Sequence, residues 1–195
     1  MKPKLITPPA TEPLSLVDAK LHLRIDAADT DSDAIIADLI RVGRAAVEDY
    51  TGLALITQTW RLYLDAFPCG EDLRIRLPQP PLKTFSSVKY TDDTGALITL
   101  DPSKYQVDDA DWPCRVAPAF GESWPATRAQ LNAVQLEYIA GVDSAANIKP
   151  QAVQAIKLFL ANWFENREAV VTGTITAELP LAVQMLLDQI RVFPC

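Results

Sequence analysis

The sequence predicts an α+β chain: a helical core of two N-terminal and two C-terminal helices, with a small antiparallel β module inserted between the pairs. Three observations carry this prediction. Apolar residues repeat at helical spacing up to about Tyr50, and from Leu55 the period changes to two. A helical period returns in residues 148–171, IKPQAVQAIKLFLANWFENREAVV. Fifteen prolines stand against seven glycines, a balance that suggests many strand ends and stiff connections rather than flexible linkers.

Residues 1–13 are proline-rich and read as an extended arm rather than an element. The N-terminal helical pair occupies 14–53. Ser15 followed by Asp18 resembles a capping box, and Leu16, Ala19 and Leu23 share one face of a short helix over 16–23, with Lys20 and His22 to the side. The acidic loop DAADTDSDA follows, with Ser32 placed to cap a second helix over 33–50. Ile36, Leu39, Ile40, Gly43, Val47 and Tyr50 recur at helical spacing there, and Gly52 is a suitable stop. Asp26, Asp29, Asp31 and Asp33 alternate like a calcium loop but lack its central glycine and closing glutamate, so no metal is expected.

The β module spans 54–141. Ile56, Gln58, Trp60, Leu62 and Leu64 make one side of a strand, and Leu73, Ile75 and Leu77 alternate with Arg74 and Arg76. Residues 88–90 and 96–100 flank the turn DDTG and predict a hairpin; further strands are expected at 105–107, 115–117 and 134–139. The C-terminal helices and tail take 148–195. In the first of these helices Val153, Ile156, Leu160, Trp163 and Arg167 fall on one face, widened by Ala152, Phe159 and Phe164. Pro150 suits its first turn, where a missing N–H costs nothing, and no further proline or glycine occurs before Gly173. Pro180 opens a last helix, PLAVQMLLDQIRVF. All of this forms a single domain.

With 49% hydrophobic and 22% charged residues, a chain of 195 can bury about 70% of its unfolded surface. A net charge of −7 argues against binding the outside of duplex DNA, but it does not forbid lining a channel through which DNA slides, where repulsion prevents sticking. Cys69, Cys114 and Cys195 form neither a disulfide framework nor a zinc site. MKPKLITPPATEP has no apolar core of a signal peptide, and no run is long enough to span a membrane, so a cytosolic setting is expected.

Candidate chemistry is sparse. His22 is the sole histidine; GESW around Ser123 lacks the closing glycine of a nucleophile elbow; Asp108, Asp109 and Asp111 read as a solvated turn before a paired-carboxylate site. No phosphate-binding glycine motif is present, so neither enzyme activity nor a cofactor is expected. The other open reading is a binding module that recognises a ligand or glycan through exposed Trp60, Trp112 or Trp124. For interfaces, the aromatic shoulder Trp163 and Phe164, followed by Glu165 and Arg167, is the candidate subunit contact. The small β-branched stretch containing Val170, Val171, Thr172 and Gly173, and the tail Arg191, Val192 and Phe193, look made to dock elsewhere.

Taken in order, EPLSLVDAKLHLRID, EDYTGLALITQTWRLYLDAFP, IRLPQPPLKTFSSVKYTDDTGALITLDPSKYQVD, AFGESWPATR, ANWFENREAVVTG and AELPLAVQMLLDQIRVF resemble the head–tail connector family of long-tailed double-stranded DNA phages, prophages and gene transfer agents. The resemblance runs from Glu12 to Phe193, and LITQTW and WFENREA are its most specific parts. It implies an adaptor, or head-completion, subunit that self-assembles as a ring, a dodecamer, beneath the portal. It also implies the portal protein and a stopper or tail-completion protein as partners, DNA passing through without sequence-specific contacts, no membrane, and a place in the virion neck after assembly in the host cytoplasm.

Overall fold

In the computed structural model, residues 3–110, 112–166 and 181–192 are described. Among them run eight strands and four α-helices, and all pairings between the strands are antiparallel, which makes the class α+β. The chain divides into two compact units.

The helical unit contains Thr11–Ile56 and, among the described residues, 142–166 and 181–192. Helix α1, Leu16–Leu23, begins where Ser15 Oγ accepts from the Asp18 N–H at 3.1 Å. The Asp18 carboxylate takes the Ser15 hydroxyl proton at 2.6 Å, so the cap closes side chain to side chain. Helix α2, Asp33–Thr51, ends at Gly52, whose φ of +73° is the left-handed conformation that glycine adopts cheaply. Ser32 occupies its N-cap position, but the hydroxyl makes no capping bond, because φ −99° and ψ 0° depart from the extended backbone that aims a cap inward.

Helix α3, Pro150–Glu165, buries Ala152, Ala155, Ile156, Phe159 and Leu160. It stops short of the expected 171. Asn166 leaves helical geometry at φ −108° and ψ 70°, and its side-chain amide donates to the Asn162 carbonyl at 3.0 Å, replacing continuation of the helix. Residues 167–171 of the expected helix lie outside the described residues. Helix α4, Leu181–Asp188, buries Val183 and Leu187. The core joins these side chains to Ile36, Ile40 and Val47 of α2, each worth about 1.5–3 kcal/mol when buried. Gly43 lets α2 and α3 approach closely: a Cβ there would stand 3.2 Å from Ile156 Cγ2.

The β unit holds residues 3–10 and Thr57–Gly141. Its strands are β1 Lys4–Thr7, β2 Gln58–Leu64, β3 Ile75–Arg76, β4 Leu82–Thr91, β5 Leu97–Thr99, β6 Tyr105–Asp108, β7 Arg115–Pro118 and β8 Val134–Ala140. One sheet has the order β1-β2-β8-β4-β5 and the second β3-β7-β6. Both β2 and β8 alternate buried and half-buried residues without a break, the period-two pattern of a sheet with one covered face. The DDTG turn joins β4 to β5, with Asp92 Oδ1 accepting from the Ala96 N–H at 2.8 Å.

The N-terminal arm is corrected in part. Residues 4–7 are an edge strand, with Lys4 opposite Arg61 and Leu5 opposite Trp60. The outward backbone groups of β2 need partners, and the prolines at 3, 8 and 9 limit the pairing to a few residues.

Candidate functional site

The candidate interface residues meet different fates. Trp163 is half-buried and stacks on Phe159, ring centroids 4.9 Å apart and planes 9° from parallel; Phe164 packs against the same core. Both aromatics of the shoulder therefore give much of their surface to their own unit, while Glu165 is exposed. In the tail, the Arg191 guanidinium lies 4.8 Å from the Tyr50 ring centroid. The Val192 N–H donates to Thr51 O at 2.8 Å, and Val192 packs on the helical core. The Tyr50 hydroxyl donates to Asp188 Oδ1 at 2.7 Å, tying the end of α2 to the end of α4. Through Val192, then, the tail is stitched to α2. Arg167, Val170, Val171, Thr172, Gly173 and Phe193 lie outside the described residues.

Lys20 is the residue that sequence reasoning misplaced. Amphipathic periodicity puts it to the side of α1, but its side chain is only 5% exposed. Its ammonium donates to Asp29 O at 2.7 Å and Ala27 O at 3.3 Å, and lies 2.5 Å from Asp33 Oδ1. A cation thus sits where the alternating aspartates suggested a calcium loop. The signal was the same run of carboxylates, which needs a counter-charge from somewhere. Asp26 and Asp29 meanwhile turn inward on the loop, accepting from the N–H groups of Ala28 and Asp31. A second buried ionic set ties the C-terminal half of α2 to the segments before α1 and after α2: Arg44 donates to Glu12 at 2.8 Å and to Glu48 at 2.7 Å, and Glu48 accepts from the Leu55 N–H at 2.9 Å.

In the β unit the three tryptophans are not the exposed ligand platform that a glycan-binding reading requires. Trp60 is buried at 9% exposure. Trp124 stacks on Phe67 with centroids 4.6 Å apart and donates its indole N–H to Leu73 O at 2.8 Å. Trp112 is half-buried and lines a cleft of about 520 Å³ together with Leu64, Ala66, Ile75, Leu77 and neighbouring prolines. Aromatic rings carry large apolar area, and in Trp60 and Trp124 packing within the unit takes most of it. Arg74 and Arg76 stand at this cleft with Asp72. The Arg74 guanidinium donates to Asp72 at 2.7 Å and, with the Arg74 backbone N–H, holds that carboxyl below its ordinary pKa.

Of the chemistry-bearing residues, Asp108 and Cys114 are held within the fold. Asp108 receives two bonds from the Arg115 guanidinium and one from the Ala110 N–H, which hold its pKa down; a carboxylate so paired is poorly suited to exchange protons near neutrality. Asp109 is exposed, and Asp111 lies outside the described residues. Ser123 is exposed in the β unit, whereas His22 belongs to the helical unit. Cys114 is buried, which pushes its thiol pKa up, and Cys69 is exposed. Among the described residues no three His, Cys, Asp or Glu side chains gather into a metal-binding group, and no helix is long and apolar enough to cross a membrane.

No family model and no curated protein matches the chain. Solved structures do. A chain in the neck of an empty GTA particle, computed with C6 symmetry, is 24% identical with a TM-score of 0.79. A chain in the virion of a native gene transfer agent (GTA) particle gives the same two values. A chain in the neck of a native GTA particle, computed with C12 symmetry, is 23% identical with a TM-score of 0.73. Each comparison covers 100% of this chain and 97% of the other. At these identities the likeness establishes a shared fold, from one end of the chain to the other.

Proposed function

We propose that this chain is a structural subunit of the neck of a phage-like particle, and more specifically a head–tail adaptor. In this reading copies assemble as a dodecameric ring beneath the portal, extend the DNA channel and receive a stopper or tail-completion protein on the far side. The observation that carries it is the end-to-end match to chains in gene transfer agent particles, two of them described as necks, with nothing large left over on either side. The C6 and C12 symmetries of those necks fit a ring of identical copies. Paired carboxylates and packed tryptophans favour a structural role over an enzymatic one. The net charge of −7 favours a channel wall that DNA passes without adhering.

The test is to mix the full chain with a portal protein of a gene transfer agent or phage particle and follow mass and negative-stain images over a range of salt. Rings stacked on portal are expected. Like-charged copies repel, so moderate salt should promote ring closure. A monomer that ignores portal at high concentration and at every salt would overturn the reading.

A further inference from the structure

The five-stranded sheet ends at β1 on one side and at β5 on the other. Along β5 the Leu100 N–H donates to Val88 O at 2.9 Å and the Asp92 N–H to Ala96 O at 3.0 Å. Antiparallel bonding alternates, so residues 96, 98 and 100 turn their backbone groups toward β4. The N–H and C=O groups of Leu97 and Thr99 therefore point away from the sheet, and no described residue pairs with them. Residues 96–100, ALITL, contain neither proline nor charge, the devices that usually blunt an edge. Leu97 and Ile98 are 56% and 37% exposed.

The opposite edge matches this one in length and in charge. Pro3, Pro8 and Pro9 confine the free side of β1 to residues 4–7, so only a short strand fits beside it, and β5 has three residues. Leu5 and Ile6 are each 38% exposed. Lys4 is exposed and makes no ion pair among the described residues. The turn leading into β5 carries Asp92 and Asp93. Asp92 accepts only from neutral donors, Thr94 and the Ala96 N–H, and Asp93 is exposed without an ion pair among the described residues. The one guanidinium beside this turn is that of Arg128, packed over Gly95, so two carboxylates face one cation and the turn stays net negative. Uncancelled charge of opposite sign thus marks the two edges.

We propose that the β5 edge of one copy pairs with the β1 edge of the next, extending one sheet into its neighbour. Every pairing in this sheet of five strands is antiparallel, so β1 and β5 point the same way. A neighbour in a large ring is turned only slightly, and the new pair is therefore parallel. Lys4 then lies beside Leu97, near the acidic turn, and Leu5 beside Ile98 on the covered face of the sheet. Two different edges of the same chain meet, so the contact is head-to-tail and can close a ring. Two β5 edges meeting about a two-fold axis would instead be antiparallel, with the acidic turn of each copy set against Asp101 of the other, and like charges oppose that. The inference rests on the ring reading above and names the interface that would build it.

The experiment uses the full chain with Cys69→Ser and Cys195→Ser, assembled with portal. Oxidative crosslinking of Leu5→Cys combined with Ile98→Cys should give a ladder beyond dimer, while either substitution alone gives none. Lys4→Glu and Asp93→Lys should each weaken copy–copy association about tenfold, and the two together should restore it. The first makes the chain two charges more negative and the second two more positive, so overall repulsion alone would move association in opposite directions. Both side chains are exposed, and unfolding midpoints should stay unchanged. Rings that form normally in both charge variants, with no ladder from the cysteine pair, would overturn this interface and leave the ring reading standing. Dimers from Ile98→Cys alone would overturn it in favour of a two-fold contact. Absence of any wild-type oligomer, with or without portal, would sink both.

Discussion

Replacing Lys20 with Met tests whether the acidic loop is organised by one buried cation. Methionine keeps the length of the side chain and removes its charge. Three contacts disappear: the ion pair with Asp33 Oδ1 at 2.5 Å and the bonds to Asp29 O at 2.7 Å and Ala27 O at 3.3 Å. Hydrogen bonds to charged groups contribute about 1.5–3 kcal/mol, and breaking a fully buried pair costs about 3–5. The upper figure does not apply here. Asp33 is 30% exposed and stands in the first turn of α2, so water and the helix dipole stabilise its carboxylate after the partner is gone. Ala27 and Asp29 are exposed, so their carbonyls also find water. The expected cost is about 2 kcal/mol, or about 4–8 °C in Tm for a chain of this size. Urea unfolding, read on the transition in which α1 loses its helical signal, measures it. A cycle with Asp33→Asn should show coupling of about 1 kcal/mol, and exchange of the amides in 26–32 should quicken. A change within about 0.5 kcal/mol together with zero coupling would refute the reasoning.

Acid should loosen the β unit. Asp72, Asp92, Asp101 and Asp108 are all held below the ordinary carboxylate value, Asp108 first by the Arg115 guanidinium. A depressed folded pKa contributes stability that is full above the unfolded value of 3.8 and lost as pH falls through the folded one. Asp108→Asn should therefore flatten the fall of the unfolding midpoint between about pH 5 and 2; an unchanged slope would show that this pair contributes nothing. In the tail, deleting 192–195 removes the Val192 N–H bond to Thr51 O and the packed Val192 side chain, at about 1–2 kcal/mol. Deleting 193–195 leaves those contacts in place. If the tail docks on portal, the shorter deletion weakens portal binding at unchanged Tm; full portal binding by both truncations would remove the tail from the interface.

What was legible in the sequence was whatever one local rule determines. The span of α1 follows from Ser15 and the spacing of Leu16, Ala19 and Leu23; the stop of α2 follows from Gly52; the two faces of β2 follow from strict alternation. The failures all involve partners distant in sequence or two preferences in competition. Nothing in KLIT announces a strand, because β1 exists only where the edge of β2, over fifty residues later, needs partners for its backbone. Helical period alone carries α3 past 166, where the Asn166 amide ends it. For the candidate site, residue type marked Trp60, Trp112 and Trp124 as a platform, yet large rings satisfy a core as readily as a ligand, and only the fold shows which use prevails. The free edge of β5 was missed in the opposite sense. Residues 96–100 read as one arm of a hairpin, and only the strand order shows that this arm ends the sheet.

The ion pairs limit what kind of contact can join identical copies. Many cations are already engaged within the chain: Lys20 with Asp33, Arg44 with Glu12 and Glu48, Arg61 with Glu137, Arg74 and Arg76 with Asp72, Lys104 with Glu122, and Arg115 with Asp108. Taken together these seven cations and seven carboxylates cancel, so the excess of seven negative charges is carried by the rest of the chain. Two copies brought together therefore repel at long range, and a salt bridge between them that drew on one of these cations would first have to break an existing pair. Exposed pairs return about 0–1 kcal/mol each, too little to offset that exchange. Apolar insertion carries no such cost: burying a phenylalanine ring contributes about 1.5–3 kcal/mol whatever the net charge, and salt screens the opposing repulsion without weakening it. If copies assemble as in the proposed ring, apolar contacts between them are thus the kind that the net charge opposes least.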